Sequence, residues 1–340
     1  MKKVRTNIVM VLLATMIAGA VAGCGSKNNN QPDSGSNQPD STSQVTIRVG
    51  DNMALGTVIP FIAKDEGYFD DAGINVEIKE FSDGSALAEA FAAGEVDVAL
   101  MGIAPTATWY QKGVDLQVIA SANGGGHVIL VKNNSGIETV EDLKGKTLAE
   151  PNLGTVTDTL LRDYILPDAG IDPEKDLTIQ SGLKPADMAT ALYATGEVDA
   201  ILTWEPYVSQ AQAQYGDEVK VLYDSSAEIQ KATGNNTFYP VNVVSASKDF
   251  ITNHTSELQA FVDVYKKTVD YVNNDVGADA EIAKVLDLDE SIVEAAKTRV
   301  DFTYDIDVDG LTETLKWAKD LGYLDDIPKT EDFYNSDFLK

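Results

Sequence analysis

Two copies of Leu-Gly-Thr-Val, at Leu55-Gly56-Thr57-Val58 and Leu153-Gly154-Thr155-Val156, each stand between a strand-like segment and a helix-like one. Helix N-termini offer unpaired N–H groups at such places, and Thr57, Thr155 and Thr157 add hydroxyls, so the chemistry on offer is hydrogen bonding to a small polar solute. A turn glycine and a capping threonine give the same pattern without any ligand. Duplication favours binding. Asp71-Ala72-Gly73-Ile74 and Gly94-Glu95-Val96-Asp97 recur as Asp168-Ala169-Gly170-Ile171 and Gly196-Glu197-Val198-Asp199, and the three repeats keep their order at offsets of 98, 97 and 102 residues. Two like lobes make one cleft, met by equivalent loops from both sides.

Other residues are weighed in the same way. Phe81-Ser82-Asp83-Gly84-Ser85 and the loop 181–187 each lead into a helix and read as either ligand loops or caps. Gly102-Ile103-Ala104-Pro105 and Trp204-Glu205-Pro206-Tyr207 follow the paired Gly-Glu-Val-Asp strands and emerge at the same crevice. Trp204 fits a ligand wall and a core plug equally well. Asp97 and Asp199 are read as structural. His127, behind Gly124-Gly125-Gly126, is expected to hydrogen-bond across a hinge, while His254 falls in a polar helix start. Gly145-Lys146-Thr147 lacks the earlier glycine of a phosphate loop, Val140 standing there, and leads into a strand. The run Asp305 to Gly310 matches the first half of a calcium loop, but Lys316 occupies the twelfth position, so Asp309 is read as the cap of a helix from Leu311. With no nucleophile–base pairing and no metal-ligand spacing, the expectation is a binder without catalytic residues, cofactor or metal.

The elements that would position these loops are legible. Residues 44–50 alternate and are β-branched, 57–68 are helical in spacing, 75–80 form a second strand, 85–93 an alanine-rich helix and 96–101 a buried strand. The second copy repeats the plan, with strands at 147–149, 177–180 and 198–203 and helices at 156–166 and 185–194. Segments 128–132 and 241–247 read as crossover strands of a double hinge, and helices near 257–274, 278–286, 291–300 and 311–321 return to the first lobe. The predicted fold is α/β, two lobes each with a mostly parallel sheet flanked by helices. Lobe 1 is assigned residues 45–128 and 245–340, lobe 2 residues 129–244.

Composition sets the outer limits. At 340 residues with 44% hydrophobic content the chain can core two lobes, and a net charge of −28 excludes nucleic acid as a partner. Lys2, Lys3 and Arg5, then the apolar run 8–18, then Val21-Ala22-Gly23-Cys24 read as a leader over residues 1–24 with the sole cysteine, Cys24, as its lipid-bearing residue. Residues 25–44 hold almost nothing to bury and read as a disordered tether. The expectation is a monomer held at the outer face of a membrane by a lipid anchor.

The mature chain resembles the type II solute-binding proteins of bacterial ABC importers, in the branch for sulfonate, nitrate, taurine and bicarbonate that is related to pyrimidine-precursor binders. Ile62-Ala63 through Gly67-Tyr68-Phe69, the stretch 86–99 with its Ala-Gly-Glu-Val-Asp core, Asp142-Leu143-Lys144-Gly145-Lys146, Trp204-Glu205-Pro206-Tyr207 and the leader carry the likeness. The resemblance implies a two-lobed clamp that delivers a small solute to permease and ATPase subunits. It implies cleft residues Asn52, Met53, Ser82, Gly84, Ser85, Gly102, Ile103, Ala104, Thr155, Val156, Thr157, Trp204 and Glu205. Related pyrimidine synthases carry a cysteine-rich iron motif that this sequence lacks. A sulfonate is the leading solute, held without an arginine clamp because Arg48, Arg162 and Arg299 lie outside the candidate loops. Glu205 is expected either to cap the helix at Tyr207 or to meet a ligand ammonium. A sensing lipoprotein and a pyrimidine or thiamine-precursor binder are the alternatives.

Overall fold

The computed structural model describes residues 45–51, 54–81, 84–234 and 238–340, with the side chain of Ser85 left out. The expected leader, Cys24 and the tether lie outside the described residues. Eleven described strands form two sheets. The first has the order β11-β4-β10-β3-β1-β2, with β1 Thr46–Asp51, β2 Asn75–Glu80, β3 Val98–Gly102, β4 Leu116–Gly125, β10 Pro240–Ser247 and β11 Val300–Phe302. The second has the order β7-β6-β8-β5-β9, with β5 His127–Lys132, β6 Thr147–Glu150, β7 Thr178–Ser181, β8 Ala200–Trp204 and β9 Val219–Asp224.

The sheets repeat each other's register. β1 pairs in parallel with β2 and β3, and β6 with β7 and β8, so that Val49 faces Val98 in one sheet and Leu148 faces Ala200 in the other. Each sheet is nevertheless mixed, not mostly parallel as expected. β10 is antiparallel to β3 and β4, and β5 is antiparallel to β8 and β9. The reason is mechanical: β1, β3, β6 and β8 end at the cleft, whereas a strand that has just crossed between lobes starts there and must run the other way. The expected boundaries at 128/129 and 244/245 fall inside β5 and β10. The crossings lie earlier, at Gly125-Gly126 and in the segment before Pro240.

Period-two alternation splits the first sheet between two cores. Val98 and Leu100 point into the core closed by the Thr255–Asn274 helix, while Ala99 and Met101 point into the other. That helix buries Leu258, Phe261, Val262, Tyr265, Val269 and Val272 at helical spacing, and Phe261 stacks on Phe69 at 5.7 Å between ring centroids. The C-terminal helix Val308–Asp320 bridges the lobes. Its Leu311, Leu315 and Ala318 share one apolar cluster with Leu160 and Leu161 of the second lobe, and Trp317 lies 5.5 Å from Tyr164. The cap of this helix is Asp307, whose carboxylate accepts from Gly310 N–H at 3.0 Å, and not the expected Asp309, because the helix starts three residues before Leu311. Residues 156–168 follow the expected helical stretch, with wider π turns over Leu160–Ile165.

Candidate functional site

The loops at the carboxyl ends of the two sheets enclose a cavity of about 730 Å³. Of the residues expected there, Gly84, Gly102, Thr155, Val156, Thr157, Trp204 and Glu205 line it. Asn52, Met53 and Ser82 lie outside the described residues, as does the Ser85 side chain. Ile103 and Ala104 do not line it: they form the first turn of the Ile103–Gln111 helix and are wholly buried in the core behind Gly102. The lobes meet at Gly102, where a Cβ would stand 3.6 Å from Val156 Cγ2. Lys184, within the loop 181–187, also lines the cavity, as do Asn123, Asn242, Leu286 and Leu288, to which no spacing in the sequence points.

At the back, the first crossover is a glycine turn by necessity. Gly125 and Gly126 have φ of 73° and 94°, and a Cβ on Gly125 would fall 2.4 Å from Phe238 and from Ser226 Oγ. His127 follows, buried, and ties both crossovers to the second lobe. Ser225 Oγ donates to the His127 carbonyl at 2.6 Å, so its proton is used and the Tyr239 hydroxyl must donate to Ser225 Oγ at 2.8 Å. Tyr239 can then only accept from His127 Nδ1–H at 2.6 Å. Burial holds the imidazole neutral, its pKa lowered to about 3, so Nε2 carries a lone pair and accepts from Thr157 Oγ1 at 2.9 Å.

Thr157 therefore has no proton left for a ligand. Thr155 is in the same position, since its hydroxyl donates to the Asn152 carbonyl at 2.8 Å and accepts from Asp158 N–H at 3.3 Å as a helix cap. Both threonines line the cavity, but they offer lone pairs and not the donors expected of them. Thr57 is further removed: wholly buried, it donates to Asp51 Oδ1 at 2.8 Å.

The described arginines are committed elsewhere. Arg48 pairs with Asp97. Arg162 is shared by Glu150 and Asp158, both at 2.7 Å, and Glu174 at 2.9 Å. Arg299 reaches from the first lobe to Glu205 and Asp224 of the second, each at 2.9 Å. Glu205 thus answers its own question. Its Oε2 accepts from Ser209 N–H at 3.0 Å, capping the Tyr207–Tyr215 helix, and its Oε1 faces Arg299. Burial pushes this carboxyl up while Ser209 N–H and Arg299 hold it down. With Arg299 shared by Glu205 and Asp224 and His127 neutral, Lys184 is left as the unpaired cation among the described lining residues. It is exposed at the N-cap of Pro185–Ala189.

Sequence and fold both match known proteins. A sequence profile of the NMT1-like family matches residues 40–287, well over half of the chain. The chain belongs to the NMT1-like family. This NMT1-like chain is 29% identical over 255 residues to a Bacillus subtilis protein provisionally named for binding aliphatic sulfonates, covering 73% of this chain and 72% of that protein. It is 28% identical over 199 residues to the taurine-binding periplasmic protein of Escherichia coli, covering 58% of this chain and 57% of that one. Its fold superposes on the crystal structure of the periplasmic aliphatic sulphonate binding protein of Escherichia coli with a TM-score of 0.68 and 25% identity, over 83% of this chain and 92% of that one.

Proposed function

We propose that the protein is the extracytoplasmic, lipid-anchored binding component of an ABC importer, capturing a small organic anion between its lobes and presenting it to permease and ATPase subunits. A sulfonate is the leading solute. One observation carries the choice of an anion: in a chain with a net charge of −28, the described lining keeps an unpaired positive charge at Lys184 while Glu205 is paired with Arg299. The names of the relatives, sulfonate and taurine binders, support the same class. Glu205 has no role for a ligand ammonium in this reading, so the amino group of a taurine-like solute gains nothing from it.

Calorimetry with ethanesulfonate, taurine, nitrate, bicarbonate and a pyrimidine tests this. Binding of ethanesulfonate with unchanged selectivity in Glu205→Gln supports it, whereas binding of pyrimidines alone contradicts it. The anchor is tested separately: Cys24→Ala is expected to release the protein from the membrane or leave it unprocessed there, and unchanged detergent partitioning with unchanged mature mass contradicts the lipid.

A further inference from the structure

The turn joining the helices Ala278–Leu286 and Glu290–Lys297 enters the cavity from the first lobe, through Leu286 and Leu288. Between them stands Asp287, a residue with a side chain held at φ 53°, in the left-handed region that such residues rarely adopt. Leu288 N–H closes the turn by donating to the Ala283 carbonyl at 2.9 Å. The conformation sends Asp287 to solvent and leaves both leucines half-buried on the cavity side. The Glu290–Lys297 helix that follows packs on the Tyr207–Tyr215 helix of the second lobe, so the turn is fixed across the cleft and not free at its mouth.

The first-lobe lining is mainly small and apolar apart from Asn123 and Asn242, whereas the second lobe mixes Asn152, Thr155, Thr157 and Lys184 with apolar Val156, Leu183 and Trp204. Val300, in the apolar cluster that both leucines pack on, stands at the crossover with its Cγ2 3.1 Å from where a Gly126 Cβ would be, and Met101 and Val241 also line the cavity. A bare inorganic anion has nothing to place against such a wall, and taurine would set its ammonium against it. A cavity of about 730 Å³ is also in the size range of drug-like ligands, roughly 300–1,000 Å³.

We infer that Leu286 and Leu288 are specificity-determining residues that select an organic sulfonate with an apolar tail over taurine and over inorganic anions, an inference that rests on the sulfonate reading above. The sulfonate is held at the Lys184 side and the tail lies on the two leucines. The test is calorimetry with a straight-chain series from ethanesulfonate to hexanesulfonate. In the wild-type protein each added methylene is expected to tighten binding by about fourfold. In the Leu286→Ala/Leu288→Ala variant hexanesulfonate is expected to weaken by at least about tenfold, with ethanesulfonate within about twofold of wild type. A flat wild-type series overturns the inference without needing a folded variant, and leaves the sulfonate reading standing. Equal losses for short and long chains, in a variant with an unchanged unliganded melting temperature, overturn it as well. Failure of every sulfonate to bind overturns the sulfonate reading and this inference with it.

Discussion

The two repeats agree at one end of their sheets and part company at the other. Away from the cleft, Asp97 accepts from Arg48 N–H at 2.9 Å and returns its own N–H to the Arg48 carbonyl at 2.8 Å, and Asp199 does the same with Thr147 at 2.9 and 2.8 Å. At the cleft the copies diverge. The first Leu-Gly-Thr-Val is sunk into the core with Thr57 bonded to Asp51, while the second stays at the surface of the cavity with Thr155 as a cap. The described lining from the first lobe is mainly small or apolar, Ala54, Gly56, Met101, Gly102 and the turn leucines, with Asn123 and Asn242; the second supplies Asn152, Thr155, Thr157 and Lys184 together with apolar Val156, Leu183 and Trp204. Duplication preserved what holds a strand and released what touches a ligand.

The largest expected effect breaks the junction between the lobes. Arg299→Ala leaves Glu205 buried and without its cation, and is expected to cost about 3–5 kcal/mol of stability by denaturant unfolding. The double variant Arg299→Met/Glu205→Gln should recover much of this; a loss as large as that of the single variant would show that the pair does not act as a unit.

Next is the head side of the cavity. Lys184→Met is expected to weaken ethanesulfonate by about 10- to 100-fold, the range of a charge-assisted hydrogen bond of roughly 1.5–3 kcal/mol, with the unliganded melting temperature unchanged. Unaltered affinity would place the head elsewhere.

Acid separates two buried groups of opposite sign. His127 is lowered to about 3 from 6.5, so between those values the unfolded chain binds a proton that the folded one refuses, and stability falls as pH falls through that window by about 1.4 kcal/mol per unit. Burial, then the charge of Asp158, raise Glu150 to about 7 from 4.5. Its contribution is present below 4.5 and is lost as pH rises towards 7. The two slopes oppose each other between 4.5 and 6.5. Urea unfolding across pH 4 to 8 should show His127→Gln losing the acid-side slope and Glu150→Gln losing the opposite one; parallel curves for wild type and both variants would contradict this assignment.

The smallest effect compares the duplicated threonines. Thr155→Ala is expected to cost about 1 kcal/mol, the usual worth of a helix cap, and to leave sulfonate affinity within about twofold because its hydroxyl proton was never available. A loss of tenfold or more in affinity would show that Thr155 donates to the ligand.

Much of this architecture was legible in the sequence because it rests on local periodicity. The strand 75–80 and the helix 278–286 agree with Asn75–Glu80 and Ala278–Leu286 end to end, and both crossover segments are strands. What stayed hidden depends on distance along the chain. Arg299 lies 94 residues from Glu205, and Tyr239 lies 112 from His127, so no spacing rule connects them. Gly102 lines the cavity while Ile103 and Ala104 beside it do not, because which face of a helix's first turn is buried depends on the core behind it. Lys184 stood within a loop already singled out, and only the pairing of the described arginines shows that its charge is left over.

A crystal structure of the protein with hexanesulfonate tests the division of labour most directly. The account predicts a sulfonate oxygen within hydrogen-bond distance of Lys184 Nζ and the alkyl chain lying against Leu286 and Leu288. A sulfonate seated on the first lobe, with Lys184 turned to solvent and the chain against the second, would contradict it.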